Sequence, residues 1–383
     1  MKRVHYSLLF LILVLLFLGS CHNKLTKPFD DEKYWNHYTD VITYYNFISN
    51  ATVLSNRLYC VTDGGYLIFN SLRQGPEMVV LNGNAGYHYK PMISSGRLAV
   101  FFNNHFDAIA ISDLSGLHDD TPVIKPNKFG EQFEGYYFWP GTKHKEFATM
   151  NTRGDRFMAL ISEASFAGTS MHGRKLYAVF ADLGIYQSPN NPNIQRWGVV
   201  NTKVIQIPVE YADGLKSVID IIYYKDKLYL SFIQYTDPLR MNITEISENG
   251  DVRRLNNPER GSAIMDFFEY QGYLYAHLGE RQVMYTTDGE HWEYWMDWIG
   301  NPDGIFEIED YLFVSYLDKI YVWDDSIDRV SLYQFPTSNI KGRTISSILK
   351  FNDDLVITTS SGIFYQSFSK VMNDKKLINT LIK

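Results

Sequence analysis

A short motif, a polar turn followed by a leucine, recurs seven times along the chain. In each copy the leucine begins an apolar and often aromatic run, as in Asn56-Arg57-Leu58-Tyr59. The leucines occupy positions 58, 98, 176, 228, 274, 312 and 355. Five of the six gaps lie between 38 and 52 residues, and the sixth, of 78 residues, is close to two periods. Such self-similarity is typical of repeat architectures, and we expect a degenerate copy between residues 131 and 165.

The sequence around each copy indicates strands rather than helices. An apolar stretch precedes the turn, another short apolar segment such as Val283-Met284-Tyr285-Thr286 follows, and a fourth such as Trp292-Glu293-Tyr294-Trp295 often closes the unit. Aromatic residues make up 15% of the chain and suit pleated sheets. No long segment between residues 40 and 367 has the 3.6-residue apolar period of a helix. Four short antiparallel strands in 40 to 50 residues predict the blade of a β-propeller.

We therefore predict an all-β chain with a single β-propeller of seven or eight four-stranded blades, eight by the repeat count, in residues 41–367. A β-sandwich or a solenoid is the structural alternative. The last copy, residues 345–367, contains only three evident strands. We expect residues 41–47 (VITYYNF) to supply its fourth strand and to close the ring, because closure leaves no open sheet edge. The tail, residues 368–383, is expected to be a short helix or a frayed end.

The N-terminus has the pattern of a secretory signal. Lys2 and Arg3 precede an apolar run from Tyr6 to Gly19, which has the length of a signal-peptide core. A membrane-spanning helix would need roughly 20 apolar residues. We assign residues 1–20 to a signal peptide and residues 21–40 to a polar tether.

The end of this run, Leu18-Gly19-Ser20-Cys21, resembles the lipobox of bacterial lipoproteins. The resemblance implies cleavage before Cys21, lipidation of its sulfur and attachment to a membrane through the acyl chains. His22 follows the cysteine, where an aspartate would imply retention at the inner membrane. The expected location is therefore the cell envelope, at the outer membrane. An ordinary secreted protein with a cysteine in its signal is the alternative.

Charge and cysteine content limit the classes of function. Without residues 1–20 the chain has 34 basic and 43 acidic residues, a net charge of −9. An acidic domain without a Lys/Arg run argues against nucleic acid as a partner. Because Cys21 carries lipid, Cys60 has no disulfide partner, and we interpret it as a buried, inert thiol. The ten histidines show no metal-ligand spacing, and neither a metal nor a cofactor is predicted.

One turn resembles the Asp-box of sialidase-like propellers. The segment from Thr286 to Trp292 (TTDGEHW) matches this motif except that it is one residue shorter. The resemblance implies that Asp288 ties the turn by accepting backbone N–H groups, with Thr286 and Gly289 in the turn and Trp292 packed beneath. In that superfamily the box is a folding element away from the active site. The Phe/Tyr-Arg-Ile-Pro segment of sialidases is absent, so sialidase activity is not expected, and no catalytic residue is assigned.

The loops between second and third strands should gather with the interblade connections at one mouth of the central channel, where propellers commonly bind ligands. With the blade register above, the charged residues of these loops are the candidate ligand-binding residues: His105, Asp107, Asp182, Asp237, Arg240, Glu280, Arg281 and Asp318. Hairpin loops are polar in any case, which is the structural alternative. Arg153-Gly154-Asp155 matches an adhesion tripeptide, and we interpret it as a turn.

Two classes of function remain. The first is a non-enzymatic binding or scaffold module that holds a glycan or an envelope protein, which the absence of a catalytic signature favours. The second is a carbohydrate-active enzyme, a glycoside hydrolase or lyase with its site at the channel mouth. Propellers host both, and fold does not imply function. A close pair of carboxylates, one with a raised pKa, would favour the enzyme. Overall the chain resembles the propeller lipoproteins of Bacteroidetes-type bacteria.

Overall fold

The structure is a computed structural model. It describes residues 34–38, 48–62, 65–80, 93–95, 98–102, 108–112, 123–124, 143–165, 175–188, 191–208, 215–234, 240–255, 264–279, 281–298, 300, 302–326, 329–337 and 339–382. These residues form seven antiparallel sheets, six with four strands and one with five. The predicted signal peptide, Cys21 and most of the predicted tether lie outside the described residues.

Sheets 1 to 3 each contain four consecutive strands. The N-terminal strand β1 (Asn36–Tyr38) belongs to sheet 7. Sheet 1 is formed by β2 (Ile48–Leu54), β3 (Arg57–Thr62), β4 (Gly65–Phe69) and β5 (Glu77–Val80). Sheet 2 is formed by β6 (Ile93–Ser95), β7 (Leu98–Phe102), β8 (Ala108–Ser112) and β9 (Val123–Ile124). Sheet 3 is formed by β10 (Lys143–Arg153), β11 (Arg156–Ser165), β12 (Lys175–Ser188) and β13 (Asn191–Gln206).

The remaining sheets continue this order. Sheet 4 is formed by β14 (Leu215–Tyr224), β15 (Lys227–Gln234), β16 (Arg240–Ser247) and β17 (Val252–Leu255). Sheet 5 is formed by β18 (Ile264–Tyr270), β19 (Tyr273–Leu278), β20 (Gln282–Thr286) and β21 (Glu293–Asp297). Sheet 6 is formed by β22 (Gly304–Ile308), β23 (Tyr311–Tyr316), β24 (Lys319–Ser326), β25 (Arg329–Gln334) and the C-terminal β29 (Lys376–Ile382). Sheet 7 is formed by β26 (Ile345–Phe351), β27 (Asp354–Thr359), β28 (Gly362–Ser367) and β1.

The sheets form a ring, which makes the fold a β-propeller. First strands of neighbouring sheets contact each other, and β2 of sheet 1 contacts β26 of sheet 7. Buried clusters fill the boundaries between sheets 3 and 4, 4 and 5, 5 and 6, 6 and 7, and 7 and 1. The core therefore lies between blades, as the all-β propeller prediction requires, and the sandwich and solenoid alternatives are wrong.

The repeated motif is the hairpin between the first and second strands. Asn56, Asp226 and Gly272 have φ values of 61°, 63° and 79°, which suit asparagine, aspartate and glycine in tight hairpin turns. The leucine that follows each turn is buried and packs toward the preceding sheet: Leu58, Leu228, Leu274, Leu312 and Leu355. The prediction that this strand is second in its blade and packs between blades is confirmed for these copies.

The predicted number of seven or eight four-stranded blades is wrong, because six sheets have four strands and the other has five. Eight blades were predicted because Leu176 was interpreted as lying in the second strand of a separate blade. Leu176 lies instead in β12, the third strand of sheet 3. The second strand of that sheet is β11, whose turn contains Gly154 and is followed by the buried Phe157. The degenerate copy expected in residues 131–165 is this hairpin, and the two copies belong to one sheet.

The ring is closed by β1 and not by residues 41–47, which lie outside the described residues. Asn36 pairs with Tyr365 and Tyr38 with Ile363, so the N-terminal strand is the fourth strand of sheet 7. Trp35 is 2% exposed, and its indole N–H donates to the Pro336 carbonyl at 2.8 Å. The propeller therefore begins before residue 41, within the segment assigned to the tether.

The C-terminal tail extends sheet 6. Helix α1 (Phe368–Asp374) follows β28, and β29 then pairs antiparallel with β25 as a fifth strand. Asp374 of this helix accepts a hydrogen bond from the Tyr34 hydroxyl at 2.9 Å, which joins the two ends of the described chain. Within the described ranges, no helix has the length and apolar character needed to cross a membrane.

Closure by β1 predicts the effect of truncation. A chain that begins at residue 40 should lose at least about 3 kcal/mol of unfolding free energy relative to one that begins at residue 30. The reason is that removal of a buried tryptophan side chain alone costs about 3–5 kcal/mol. Urea denaturation measures the difference. Equal stability of the two chains would show that residues 41–47 can close the ring without β1.

Candidate functional site

The structure describes only part of the predicted ring of charged residues. His105, Asp107, Asp237 and Glu280 lie outside the described residues, and Arg240 is placed only by its backbone, as the first residue of β16. Arg281 and Asp318 lie in the turns between second and third strands of sheets 5 and 6, as predicted. These two residues are therefore at the same end of neighbouring sheets.

Asp182 does not belong to this end. It is an internal residue of β12, and its backbone pairs with Arg156 immediately after the β10–β11 turn. Its carboxylate accepts a hydrogen bond from Arg156 Nε at 2.7 Å and another from Asn201 at 3.1 Å. The hydrogen bond from Arg156 is the main reason that the pKa of Asp182 is lowered. The predicted position of Asp182 in a loop at the channel mouth is wrong because β12 is one continuous strand, where two strands and a loop were expected.

A narrow cleft opens between sheets 5 and 6 at the end that carries Arg281 and Asp318. Sheet 5 contributes Trp298, which follows β21, and the connection to sheet 6 contributes Gly300 and Pro302. Sheet 6 contributes Tyr316 at the end of β23 and the β24 residues Tyr321 and Trp323. The β23 residue Val314 is also in the lining, so four of the seven lining residues are aromatic, and a ligand in the cleft would meet mainly aromatic faces and edges.

The aromatic rings hold one another in fixed orientations. Trp298 and Trp323 are edge to face with centroids 5.5 Å apart, and Trp298 is also edge to face with His277 at 5.9 Å. Trp295 continues the row, 6.1 Å from Trp323. Edge-to-face pairs are favourable arrangements for aromatic rings. The row contains three indole rings and one imidazole ring, and two of the indole rings, those of Trp298 and Trp323, line the cleft.

Several buried polar atoms around this row have no hydrogen-bond partner among the described residues. They are both ring nitrogens of His277, the indole nitrogens of Trp298 and Trp323, Oγ of Ser315 and Oε1 of Gln282. Asp266 Oδ2 lies 3.6 Å from His277 Nδ1, beyond hydrogen-bond range. Buried polar groups in native proteins nearly always have partners, in the protein or in ordered water. The partners of these atoms therefore lie outside the described residues, in other parts of the chain, in ordered water or in a bound polar molecule.

The charged residues at the rim are fixed by the same turns. The backbone N–H of Trp298 donates to the Arg281 carbonyl at 2.7 Å, and the Asp318 carboxylate accepts the Gly342 N–H at 3.2 Å. Burial is the main cause that raises the pKa of the Tyr321 hydroxyl, and the nearby Tyr316 and Asp318 raise it further. Arg281 and Asp318 thus flank the cleft, one beside Trp298 and the other beside Tyr321.

Gly300 keeps the cleft open. A Cβ atom at this position would lie 2.5 Å from the Tyr316 ring, closer than real Cβ contacts allow. Burial also raises the pKa of the Asp303 carboxyl, although this carboxyl accepts the Leu317 N–H at 2.5 Å. The cleft residues were missed in the sequence because they come from two different sheets, and only the packing of sheet 5 against sheet 6 brings them together.

The turn that resembles an Asp-box has the expected bonding. Asp288 Oδ1 accepts the backbone N–H groups of Glu290 and His291, each at 2.8 Å, and the Thr286 hydroxyl accepts the Gly289 N–H at 2.9 Å. The His291 ring nitrogen, 2.6 Å from Asp288 Oδ2, and then the backbone N–H groups of His291 and Glu290 hold the pKa of the Asp288 carboxyl well below its usual range. Trp292 packs against the cluster between sheets 4 and 5.

This turn is also joined to the neighbouring sheet 4. The Tyr224 hydroxyl donates to the Thr287 carbonyl at 3.2 Å, and Arg253 bridges Glu245 and Glu290. Gly289 has a φ of 82°, and a Cβ atom there would overlap the Tyr229 hydroxyl. The box therefore lies at the turn between third and fourth strands, at the opposite end of the sheets from the cleft, and its contacts are those of a folding element.

A second charged group lies at the other opening of the channel, near the turns between first and second strands. Arg153 Nη1 lies 3.1 Å from Glu269 and donates to the Tyr223 carbonyl at 3.3 Å. On the next inner strand, burial and then the charge of Glu269 raise the pKa of the Glu307 carboxyl. Gly154 and Asp155 form the β10–β11 turn, so the Arg-Gly-Asp tripeptide is a turn as predicted.

Two other candidates have no role at the cleft. Cys60 is fully buried, and burial raises the pKa of its thiol, in agreement with an inert cysteine. No group of three or more histidine, cysteine, aspartate or glutamate side chains in the described part of the chain could hold a metal ion.

The fold and the Asp-box-like turn place the chain in the structural class of β-propellers, and comparisons with solved structures agree. Virginiamycin B lyase from Staphylococcus aureus superposes with a TM-score of 0.50 at 11% identity, over 87% of this chain and 98% of the lyase. The extracellular domain of a putative hybrid two-component system from B. thetaiotaomicron gives a TM-score of 0.50 at 12% identity, over 86% of this chain and 39% of that one.

Trypanosoma rangeli sialidase is a more distant neighbour, with a TM-score of 0.45 at 12% identity, over 80% of this chain and 58% of the sialidase. At such identities the likeness concerns the fold alone. No family model and no curated protein matches the sequence.

The Asp-box bonding predicts a pH-dependent contribution to stability. Asp288→Ala should lower the unfolding free energy by about 1–2 kcal/mol at pH 7, because it removes two backbone hydrogen bonds to a carboxylate. Since folding lowers the pKa of Asp288, this contribution is present above its unfolded pKa of about 3.9 and declines as the pH falls further. Urea denaturation at pH 7 and below pH 4 measures it. Asp155→Ala, in an exposed turn, is the control, and an Asp288→Ala penalty that does not shrink in acid would contradict this account.

Proposed function

We propose that this chain is a lipid-anchored protein of the bacterial outer membrane whose propeller binds a glycan in the cleft between sheets 5 and 6. The anchor is supported by the lipobox-like Leu18-Gly19-Ser20-Cys21. The binding role is supported above all by the unpaired buried polar atoms of His277, Trp298 and Trp323 beside an aromatic cleft. Ligand pockets combine apolar and aromatic walls with a few polar groups of this kind.

The chemistry of the cleft favours a sugar over a purely apolar ligand. Aromatic rings can pack against the C–H face of a sugar, while indole N–H groups and an imidazole can pair with its polar substituents. The cleft has a volume of about 10 Å³, roughly that of one water-sized group, so it suits the tip of a substituent rather than a whole ring. The methyl group of an N-acetyl substituent is close to this size and can pack against tryptophan at the mouth of the cleft. We therefore propose that the glycan contains N-acetylated sugars, with Arg281 and Asp318 at the rim contacting the rest of the chain.

Binding by the chain that starts at residue 22 tests the proposal. We expect it to bind glycans with N-acetylated sugars on a glycan array and to bind de-N-acetylated versions at least tenfold more weakly. Arg281→Ala should weaken binding with little change in melting temperature, because Arg281 is exposed. Gly300→Ala should abolish binding, because the added Cβ displaces Tyr316 toward the cleft.

Arg57→Ala, an exposed arginine of sheet 1, is the matched control and should bind like the wild type. If Arg281→Ala and Gly300→Ala both retain full affinity, the cleft is not the glycan site. Equal affinity for N-acetylated and de-N-acetylated glycans would contradict the proposed N-acetyl contact but not the location of the site.

A carbohydrate-active enzyme is the second candidate, and one observation favours it. Glu307 has a raised carboxyl pKa, whereas Glu269 on the neighbouring inner strand is paired with Arg153. Two carboxyl groups in such different environments can serve as acid and base in glycoside hydrolysis. The pair lies at the opposite opening from the cleft. If the protein hydrolyses a bound glycan, and Glu307→Gln abolishes this hydrolysis without changing the affinity, the activity is established. Binding without turnover supports the binding module.

A further inference from the structure

The hairpin of β12 and β13 extends beyond its own sheet. β11 pairs with β12 only from Lys175 to Asp182, and the following residues pair only with β13. Leu183 N donates to the Asp155 carbonyl at 2.9 Å, so the extension starts beside the β10–β11 turn. We call residues 183–188 and 191–200 the ribbon. The first of these segments has six residues and the second has ten. Six extended residues at about 3.3 Å each project roughly 20 Å from the sheet.

The ribbon exposes apolar side chains on both of its faces. Ile185, Tyr186, Ile194 and Val200 are 42%, 38%, 46% and 48% exposed. They are four of the eleven large apolar side chains that are exposed among the described residues. A two-stranded ribbon is only marginally stable alone in water, and exposed apolar side chains concentrated on one element indicate a surface that a partner can cover. The ribbon therefore needs a partner that covers apolar side chains on both sides.

The charge of this segment distinguishes it from the rest of the protein. Residues 183–206 contain no aspartate or glutamate and two basic residues, Arg196 and Lys203, although the chain after residue 20 has a net charge of −9. Aromatic and aliphatic side chains with nearby basic residues are the composition found where proteins meet the interface of a lipid bilayer. A lipid surface can also surround a projecting ribbon on both faces, which a flat protein surface cannot do.

The position of the N-terminus supports the same partner. Twelve residues separate Cys21 from Tyr34, so a fully extended tether spans at most about 45 Å. β1 is antiparallel to β28, and its first residue, Asn36, pairs with Tyr365. This pair lies near the end of sheet 7 that carries the β26–β27 turn, where Phe368 N donates to the Asp353 carbonyl. The ribbon leaves sheet 3 past the corresponding turn. The tether and the ribbon therefore belong to the same end of the sheets.

We propose that the ribbon inserts its apolar side chains into the interface of the membrane to which the chain is anchored. This contact would orient the propeller with the turns between first and second strands toward the lipid. The cleft between sheets 5 and 6, which lies at the opposite end of the sheets, would then face away from the membrane. The tether argument rests on the proposed lipid anchor, whereas the exposure and charge of the ribbon do not.

Vesicle binding by the unlipidated chain from residue 22, which keeps every described strand, tests the ribbon separately from the anchor and from the glycan. An environment-sensitive fluorophore on Ile194→Cys should shift to the blue when phosphatidylcholine vesicles are added, because the label enters an apolar environment. The same label on Tyr294→Cys, an equally exposed position on sheet 5, should not shift. The fully buried Cys60 should not react with the label.

The double variant Ile185→Gln/Ile194→Gln should need at least tenfold more lipid for half-maximal binding, whereas Met265→Gln/Tyr294→Gln should bind like the wild type. No shift at position 194, an equal shift at position 294, or binding only to anionic vesicles would overturn the proposal. Self-association that the ribbon double variant abolishes, without any lipid binding, would assign the ribbon to a second copy of this chain. Glycan binding by the ribbon variants should remain unchanged, so failure of this inference is distinguishable from failure of the cleft.

Discussion

Closure of the ring by a strand from the other end of the chain is the constraint on which this structure depends. Sheet 7 has only three strands from the C-terminal region, and β1 supplies the fourth. Trp35 then fills the boundary with sheet 6, and its indole N–H bonds to Pro336. An unpaired β28 would be an open sheet edge, which proteins avoid. A closed ring also fixes each sheet between two neighbours, so that every boundary becomes a rigid packing surface.

The cleft is a consequence of this arrangement. At most boundaries the second-strand leucine and its neighbours fill the space between sheets, as Leu228 and Leu274 do. Between sheets 5 and 6 the filling is largely aromatic, and large flat rings such as Trp298 and Trp323 leave polar edges without partners. Unpaired buried groups cost about 1–3 kcal/mol each. The buried clusters at the four other described boundaries offset that cost at one place.

The sequence predicted those features that depend on local chemistry. Turns with Asn56, Asp226 or Gly272 predict hairpins because these residue types adopt positive φ readily. The leucine after each turn indicates the buried second strand. Asp288 and Thr286 form a turn through bonds within a few residues, so their motif was sufficient. The pairing of strands that are far apart in the sequence could not be predicted from such local patterns. Leu176 follows a polar pair just as Leu228 does, yet it lies in a third strand, and Asp182 was misplaced with it.

Features formed by residues that are distant in the sequence could not be predicted either. Residues 41–47 and Asn36–Tyr38 are both short segments with aromatic residues, and only pairing with β28 distinguishes them. Trp298 and Trp323 come from different sheets and meet across a boundary that no local pattern shows. Arg281 and Asp318 were predicted because turns between second and third strands are regular in sequence. Their relation to an aromatic cleft emerged only when the two sheets were placed side by side.

In the proposed arrangement, opposite ends of the propeller contact two partners, lipid at the ribbon and glycan at the cleft. Hydrogen exchange of the complete lipidated protein on phosphatidylcholine vesicles, with and without an N-acetylated glycan, tests this assignment most directly. We predict that vesicles slow exchange in residues 183–200 and that the glycan slows exchange in residues 298–302 and 316–323, each without affecting the other. Protection of the cleft by vesicles, or of the ribbon by glycan, would contradict the account.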